Sequence, residues 1–299
     1  MVKSFFFLFF VASIFFPAHA ERQNNAITLE PFSCGDGFNC TRIRGNSKGN
    51  HDLDCTIIRP WASAADPLQS PYPVIAWANG WEQGNVLGQC TSNGYRLGLK
   101  QWAADGPYIV VAANQWSVRD VDVLACLQYV VENEDAADTN WTGLAGHSQG
   151  GGAVIKAGDG LQKQVNVTAS IAMNPYGPSW VNAEQQDGPL MLLGGNADTT
   201  TPVSSFISVW EAIQTNQGGL LAVRGGGTHN NDAWGSYPNG ATMSCEDAAE
   251  VNFGNFQEAG RLWWDRHLNG NFASGAALKA MLQQSSWDTQ FSPADDPDL

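Results

Sequence analysis

The sequence predicts an α/β architecture, a doubly wound and mostly parallel sheet with helices on both faces. Three observations lead there. Short β-branched and apolar runs recur along the chain, helical patterns lie between them, and most of the strand-like runs are apolar throughout. Strands covered on both faces need that unbroken apolar character, because neither face meets water. Regular alternation of strand and helix, joined by right-handed crossovers, then builds the sheet.

In chain order the strands are "CTIIRP" from Cys55, "PVIAWA" from Pro73, "YIVVAA" from Tyr108, "TGLAGH" from Thr142, "TASIAM" from Thr168, "LMLLGG" from Leu190 and "LLAVRG" from Leu220. Between and after them, "RLGLKQWAA", "VDVLACLQYVVEN", the segment following Ser148, "VSSFISVWEAIQ" and "FQEAGRLWWDRHL" read as helices. No repeat and no linker divides the chain. The expected organisation is a signal peptide over 1–20, a cysteine-containing segment over 21–54 and one α/β domain over 55–285. An acidic, proline-containing tail over 286–299, expected to be disordered, closes the chain.

The leader "MVKSFFFLFFVASIFFPAHA" has a basic start at Lys3, an apolar run from Ser4 to Phe16 and a small-residue cleavage site at Ala18-His19-Ala20. That is the pattern of secretion, and the run is too short to serve as a membrane span. No later stretch is long and apolar enough to span a bilayer, so an exported protein is expected. A net charge of −14 and a pI near 4.5 exclude a nucleic-acid binder, which needs a basic footprint. Six cysteines (Cys34, Cys40, Cys55, Cys90, Cys126 and Cys245) suit three disulfides in an oxidising compartment. Three of them lie at or before the first strand, so if all six pair, one bridge must tie the N-terminal segment to the body. Asn39, Asn140 and Asn166 each begin an N-x-[ST] sequon, which matters only in a host that glycosylates.

Gly146-His147-Ser148-Gln149-Gly150 fits G-x-S-x-G at the end of a strand and the start of a helix. In such a nucleophile elbow the chain turns too sharply for side chains two residues either side of the serine. Glycines there remove the clash and leave the hydroxyl exposed above the sheet. The elbow is the mark of the α/β-hydrolase fold. The helix behind it adds partial positive charge where an oxyanion would form.

A serine hydroxyl needs a base, and the base needs an acid to hold its tautomer. On this fold the order is Ser, then Asp or Glu, then His. His19 leaves with the leader, His51 precedes Ser148, and His147 inside the elbow should point away from its neighbour. His267, at the end of a late helix among charged residues, reads as a surface or capping histidine. His229, in the loop "GGGTHNN" after a strand, is the expected base. Asp198, in the turn "GNADTTTP" after the preceding strand, is the expected acid. Asp187 and Asp159 are worse placed, and the competing reading of Asp198 is a turn or N-cap residue. Two amides should hold the oxyanion. One belongs to Gln149, after the nucleophile, and the other to Trp81 in "NGWE" after "PVIAWA".

With these residues placed, the stretch from Cys55 to Asn269 resembles secreted α/β-hydrolases of the bacterial cutinase and poly(ethylene terephthalate) hydrolase family. More loosely it is similar to dienelactone hydrolases and chlorophyllases. The matching pieces are "NGW", "GHSQGGG", "MNPY", "GNADTTTP" and "GGTHN". The resemblance implies that Trp81 and Tyr176 clamp the acyl group. It also departs from the family at Gln149, where methionine is usual, and at "NPY", where proline precedes tryptophan. Only "NPYGPSWVNAEQQDGP" separates two strands where many lipases insert a helical lid, so no lid domain is expected. Trp81, Tyr176 and Trp180 (with Trp234 a further candidate) would then line an open cleft for bulky or polymeric esters.

The function expected is a secreted, cofactor-free and metal-free serine carboxylic-ester hydrolase, monomeric, with Ser148, Asp198 and His229 as catalytic residues. Small-ester, acetyl-polysaccharide and lipid esterases are alternatives of the same chemistry. A non-catalytic binding domain on the same scaffold is the alternative from another class. An imidazole base works only once it has lost its proton, so turnover should be higher at neutral to mildly alkaline pH than at about pH 5. A rate flat between about pH 5 and pH 8 would exclude histidine as the base.

Overall fold

The computed structural model describes residues 27–33, 38–46, 52–60, 71–80, 95–115, 117–158, 165–177, 186–213, 218–229 and 255–291. Their strands are β1 (Thr28–Ser33), β2 (Asn39–Asn46), β3 (Asp52–Arg59), β4 (Tyr72–Ala78), β5 (Ile109–Ala113), β6 (Ala137–His147), β7 (Ala169–Met173), β8 (Leu190–Gly195), β9 (Gly219–Arg224) and β10 (Trp287–Phe291). The helices are α1 (Tyr95–Asp105), α2 (Asp120–Asn133), α3 (Gln149–Ala157), α4 (Ile207–Ile213), α5 (Asn255–His267) and α6 (Phe272–Leu282).

One sheet runs in the order β1-β2-β3-β5-β4-β6-β7-β8-β9-β10. From β5 to β9 every pairing is parallel. The flanking pairings, β1–β2, β2–β3, β3–β5 and β9–β10, are antiparallel. The apolar runs bury both faces. Ile75, Trp77, Val110, Ile171 and Met173 pack with Leu99, Trp102, Phe256, Trp263 and Leu278 of α1, α5 and α6. Their neighbours Val74, Ala76 and Val111 face Val123, Leu127 and Val154 of α2 and α3. Ala172 and Leu192 continue that second face with Trp210 of α4. Successive strand residues thus serve opposite cores, as the pleat requires.

The structure extends the sheet beyond the sequence reading at both ends. Residues 28–33 and 39–46, read as part of an unassigned segment, form β1 and β2. Strand β2 buries Cys40 and Ile43 but exposes or half-exposes the rest. Such partly exposed strands, with one buried residue to each face, lack the continuous apolar run that marks the central ones. Their partners are ionic instead. Arg42 grips Asp54 of β3 with two of its guanidinium nitrogens, Nε and Nη2, at 2.9 and 2.8 Å. The acidic tail was read from residue 286, yet 287–291 form β10 against β9. Trp287 decides this by packing on the core beside Phe256, 6.0 Å between ring centres, with Arg224 over its face. Helix α6 was not anticipated. "VSSFISVWEAIQ" also divides, into a 3₁₀ turn over Val203–Ser205 and the shorter α4.

His267 is not the surface or capping histidine expected. Its ring packs 4.1 Å from Trp263, and burial, with Arg266 beside it, lowers its pKa to about 4. A neutral imidazole has no charge to offer the helix dipole.

Cys55 of β3 and Cys126 of α2 form a disulfide 71 residues apart in sequence. Cys40 is also disulfide-bonded. The 55–126 bridge joins the antiparallel edge to a helix of the body. Among the described residues no helix is long and apolar enough to cross a membrane. Closing so long a loop removes many unfolded conformations, so replacing both cysteines by alanine (Cys55→Ala with Cys126→Ala) should cost about 2–4 kcal/mol of stability. Denaturant unfolding, with midpoint and m-value read together, would measure the loss; an unchanged unfolding free energy would mean that the bridge contributes nothing.

Candidate active site

Because β4 and β6 to β9 are parallel, their C-terminal ends lie along one edge of the sheet, and the loops leaving them converge. Asn79 and Gly80 follow β4, Ser148 follows β6, Asn174 follows β7, Asp198 follows β8 and His229 follows β9. All the residues that build the site come from this edge.

Ser148 is held at φ 55° and ψ −123° between β6 and α3. A non-glycine residue there stores strain of about 1–3 kcal/mol, which only tight surroundings maintain. Those surroundings are backbone. A Cβ on Gly146 would stand 2.4 Å from the Gly150 carbonyl oxygen, and one on Gly150 would stand 2.1 Å from that of Ala78. The Ser148 amide donates to Met173 O at 2.9 Å, while its carbonyl accepts the Tyr176 amide at 2.8 Å. Its side chain remains partly exposed.

Ser148 Oγ lies 3.0 Å from His229 Nε2. His229 Nδ1 lies 2.8 Å from Asp198 Oδ2. A carboxylate only accepts, so Nδ1 carries the ring proton and Nε2 presents its lone pair to the serine hydroxyl. Asp198 is 4% exposed. Burial alone would raise its pKa, but hydrogen bonds from His229 and Thr201 outweigh this and hold the carboxyl below its ordinary value. The amides of Thr200 and Thr201 both donate to Oδ1 at 2.8 Å, and the Thr201 hydroxyl donates to Oδ2 at 2.7 Å. Asp198 therefore serves the turn and meets the imidazole at once. One oxygen closes the turn and the other faces the imidazole.

Sequence reasoning missed the polar residues behind these three. His147 was set aside, yet its Nε2 lies 2.7 Å from the His229 carbonyl oxygen. Asn174 donates to the same carbonyl at 2.9 Å, and its own Oδ1 accepts the Gly195 amide at 3.0 Å. Asn174 is fully buried at φ 42°. Asn79 accepts from the Trp77 indole at 2.8 Å and donates to Ala113 O at 2.7 Å, fixing the start of the loop after β4. A signal existed for both asparagines. Each directly follows an apolar strand, where a buried amide must find partners.

Gln149 opens α3, so its amide sits in the first turn, where no intrahelical acceptor precedes it. Its side chain donates to Ser117 Oγ at 2.6 Å. Tyr176, pinned by its amide to Ser148, keeps a side chain 58% exposed. Trp81, Trp180 and Trp234 lie outside the described residues. Among the described residues, no three His, Cys, Asp or Glu side chains group so as to hold a metal ion. No protein-family model matches the chain, and no curated protein matches it significantly.

Chemically, the arrangement can draw a proton from the serine hydroxyl onto an imidazole whose opposite nitrogen is anchored to a carboxylate. The anchor is present above the ordinary carboxyl pKa of 3.8 and is lost only as pH falls through the lowered folded value. Asp198→Asn keeps the shape, but with its oxygen on the Thr200 and Thr201 amides its NH₂ faces Nδ1 and forces the wrong imidazole tautomer. Its rate on an activated ester should fall by about 10⁴-fold, the size of the same change in a serine protease. A loss under tenfold would show that Asp198 does not orient His229.

Proposed function

We propose that the protein is a secreted serine carboxylic-ester hydrolase of the α/β-hydrolase type, acting by an acyl-enzyme mechanism. One observation carries the reading. Three side chains remote in sequence meet as hydroxyl, imidazole and carboxylate, at 3.0 and 2.8 Å, on the edge where parallel strands end. The strained elbow and its side-chain-free flanks support it as well, since they leave Ser148 the foremost residue of the turn.

In the reaction, Ser148 Oγ attacks the ester carbonyl while its proton passes to His229 Nε2. The Gln149 amide, in the first turn of α3, is the oxyanion donor among the described residues, and the loop after β4 is expected to add that of Trp81. Collapse breaks the bond to the leaving oxygen, which takes the proton from His229 and departs as an alcohol. Water then attacks the acyl-serine, giving its proton to His229, and the acid leaves as Ser148 recovers its own. Donors placed for the oxyanion contribute about 10²–10³ in rate each. Asp198 keeps its charge throughout and stabilises the imidazolium.

The substrate class follows from the resemblance together with Tyr176, an exposed aromatic whose amide is bonded to the Ser148 carbonyl. An uncovered aromatic there suits bulky acyl groups, polymeric ones included, as in cutinases and poly(ethylene terephthalate) hydrolases. The disulfides and the leader suit export. A non-catalytic binding domain would have no need to keep the three partners in register.

Fluorophosphonate labelling tests the nucleophile. Wild-type protein should label at Ser148 and turn over p-nitrophenyl esters, and Ser148→Ala should do neither. A folded wild-type protein that never labels is a binder, and turnover surviving Ser148→Ala removes the nucleophile. Esters of increasing acyl length, run beside a polyester film, then separate small-ester from polymer activity.

A further inference from the structure

We propose that Tyr95 and His147 are positioning residues, forming a hydrogen-bond relay that ties the loop after β4 to the backbone of His229. The oxyanion side of the site and its general base are thereby held as one unit. The role rests on the serine-hydrolase reading above.

The relay starts at the Gly80 amide, which donates to the Tyr95 hydroxyl oxygen. Tyr95 Oη lies 2.5 Å from His147 Nδ1, and His147 Nε2 lies 2.7 Å from His229 O. One constraint sets every direction along it. A carbonyl oxygen only accepts, so His147 carries its proton on Nε2. A neutral imidazole has a single N–H, so Nδ1 is a lone pair and must accept from Tyr95. Tyr95, having given its proton, takes the Gly80 amide.

Both relay side chains are sealed from water, Tyr95 at 0% and His147 at 1% exposure. Burial, with His229 alongside, lowers the His147 pKa to about 3. Burial likewise raises that of Tyr95 well above 10.0, against the pull of the Gly80 amide. Among the described residues the titratable groups facing His147 are Tyr95, His229 and Asp198, the last favouring the charged form. Packing leaves the rings little room to turn. Trp77 and Tyr95 stand 4.9 Å apart, Tyr95 and His147 5.7 Å, and His147 and His229 4.7 Å.

Each end of the relay holds something the chemistry uses. A Cβ on Gly80 would come within 3.2 Å of the Ser148 Cβ. The Gly80 peptide therefore stands against the nucleophile and leads directly into Trp81. At the other end the His229 carbonyl receives His147 and Asn174 together. Those two donors fill both of its lone pairs and fix the peptide from which the imidazole projects. His147 is thus the link through which one loop sets the other.

Tyr95→Phe, His147→Leu and His147→Gln test the role on the full chain, with p-nitrophenyl butyrate as substrate and rates expressed per fluorophosphonate-titrated site. Tyr95→Phe and His147→Leu should lower kcat by about 10–100-fold with KM nearly unchanged, as misplacement of a base does. His147→Gln, which keeps one donor and one acceptor, should recover most of that loss. Variants that merely melt earlier while keeping wild-type kcat per site would overturn the relay. Imidazole nitrogen NMR of the wild type gives a readout independent of turnover. His147 should stay neutral and protonated at Nε2 between about pH 5 and pH 8, and Tyr95→Phe should keep that tautomer while its Nδ1 resonance shifts on losing the hydroxyl. A His147 that titrates in this range, or carries its proton on Nδ1, overturns the relay. A wild type with the expected tautomer but no esterase turnover would keep the relay geometry and sink the hydrolase reading instead.

Discussion

The site depends on a crossing of bare backbone. The end of β4, the end of β6 and the start of α3 approach so closely that a methyl group on Gly150 would stand 2.1 Å from the Ala78 carbonyl oxygen. That approach forces the turn at Ser148 and holds it at φ 55°. It also brings the Gly80 peptide against Ser148. Were the crossing looser, the serine could relax toward an ordinary helix N-cap, with its hydroxyl turned back on its own amides. Strain of this kind persists only when the surroundings leave no alternative.

Around that crossing the sheet edge is unusually polar for its burial. Asn79, His147, Asn174, Asp198 and Thr201 are each at most 4% exposed, and every one has hydrogen-bond partners at the loops they organise. A buried polar group without partners would cost a few kcal/mol, so these side chains tolerate few other arrangements of their loops. They work in pairs. Asn79 secures the loop on one side, through Trp77 and Ala113. Asn174 and Thr201 secure the other, where the Thr201 hydroxyl reaches both Asp198 and the Asn174 carbonyl. His147 lies between them. His229, Asp198 and Ser148 are thus held by polar contacts that are themselves buried, where electrostatic interactions are strongest.

The rest of the sheet keeps this edge central. Antiparallel strands flank the parallel block, β3 to β1 on one side and β10 on the other, so none of the strands bearing the site is a sheet edge. The flanking strands hold by means suited to partial exposure. Arg42 bonds Asp54, Arg59 bonds both Glu134 and Thr41, and the Cys55–Cys126 bridge fastens β3 to α2.

What the sequence determined by itself was whatever depends on local pattern. Seven strands announced themselves as apolar runs, because a strand buried on both faces cannot be written otherwise. Ser148, Asp198 and His229 could be singled out because the elbow needs its glycines, the chain order ranks the candidates and only five histidines exist. Strands β1, β2 and β10 were illegible, since their residues become strand-like only on meeting β3, β9 and the core under Trp287. Likewise nothing in the local pattern distinguishes His147 and Tyr95, 52 residues apart, from any buried imidazole and phenol. Only the tertiary structure decided that they meet, because the direction of a hydrogen bond depends on which carbonyl and which hydroxyl the fold sets opposite each ring nitrogen.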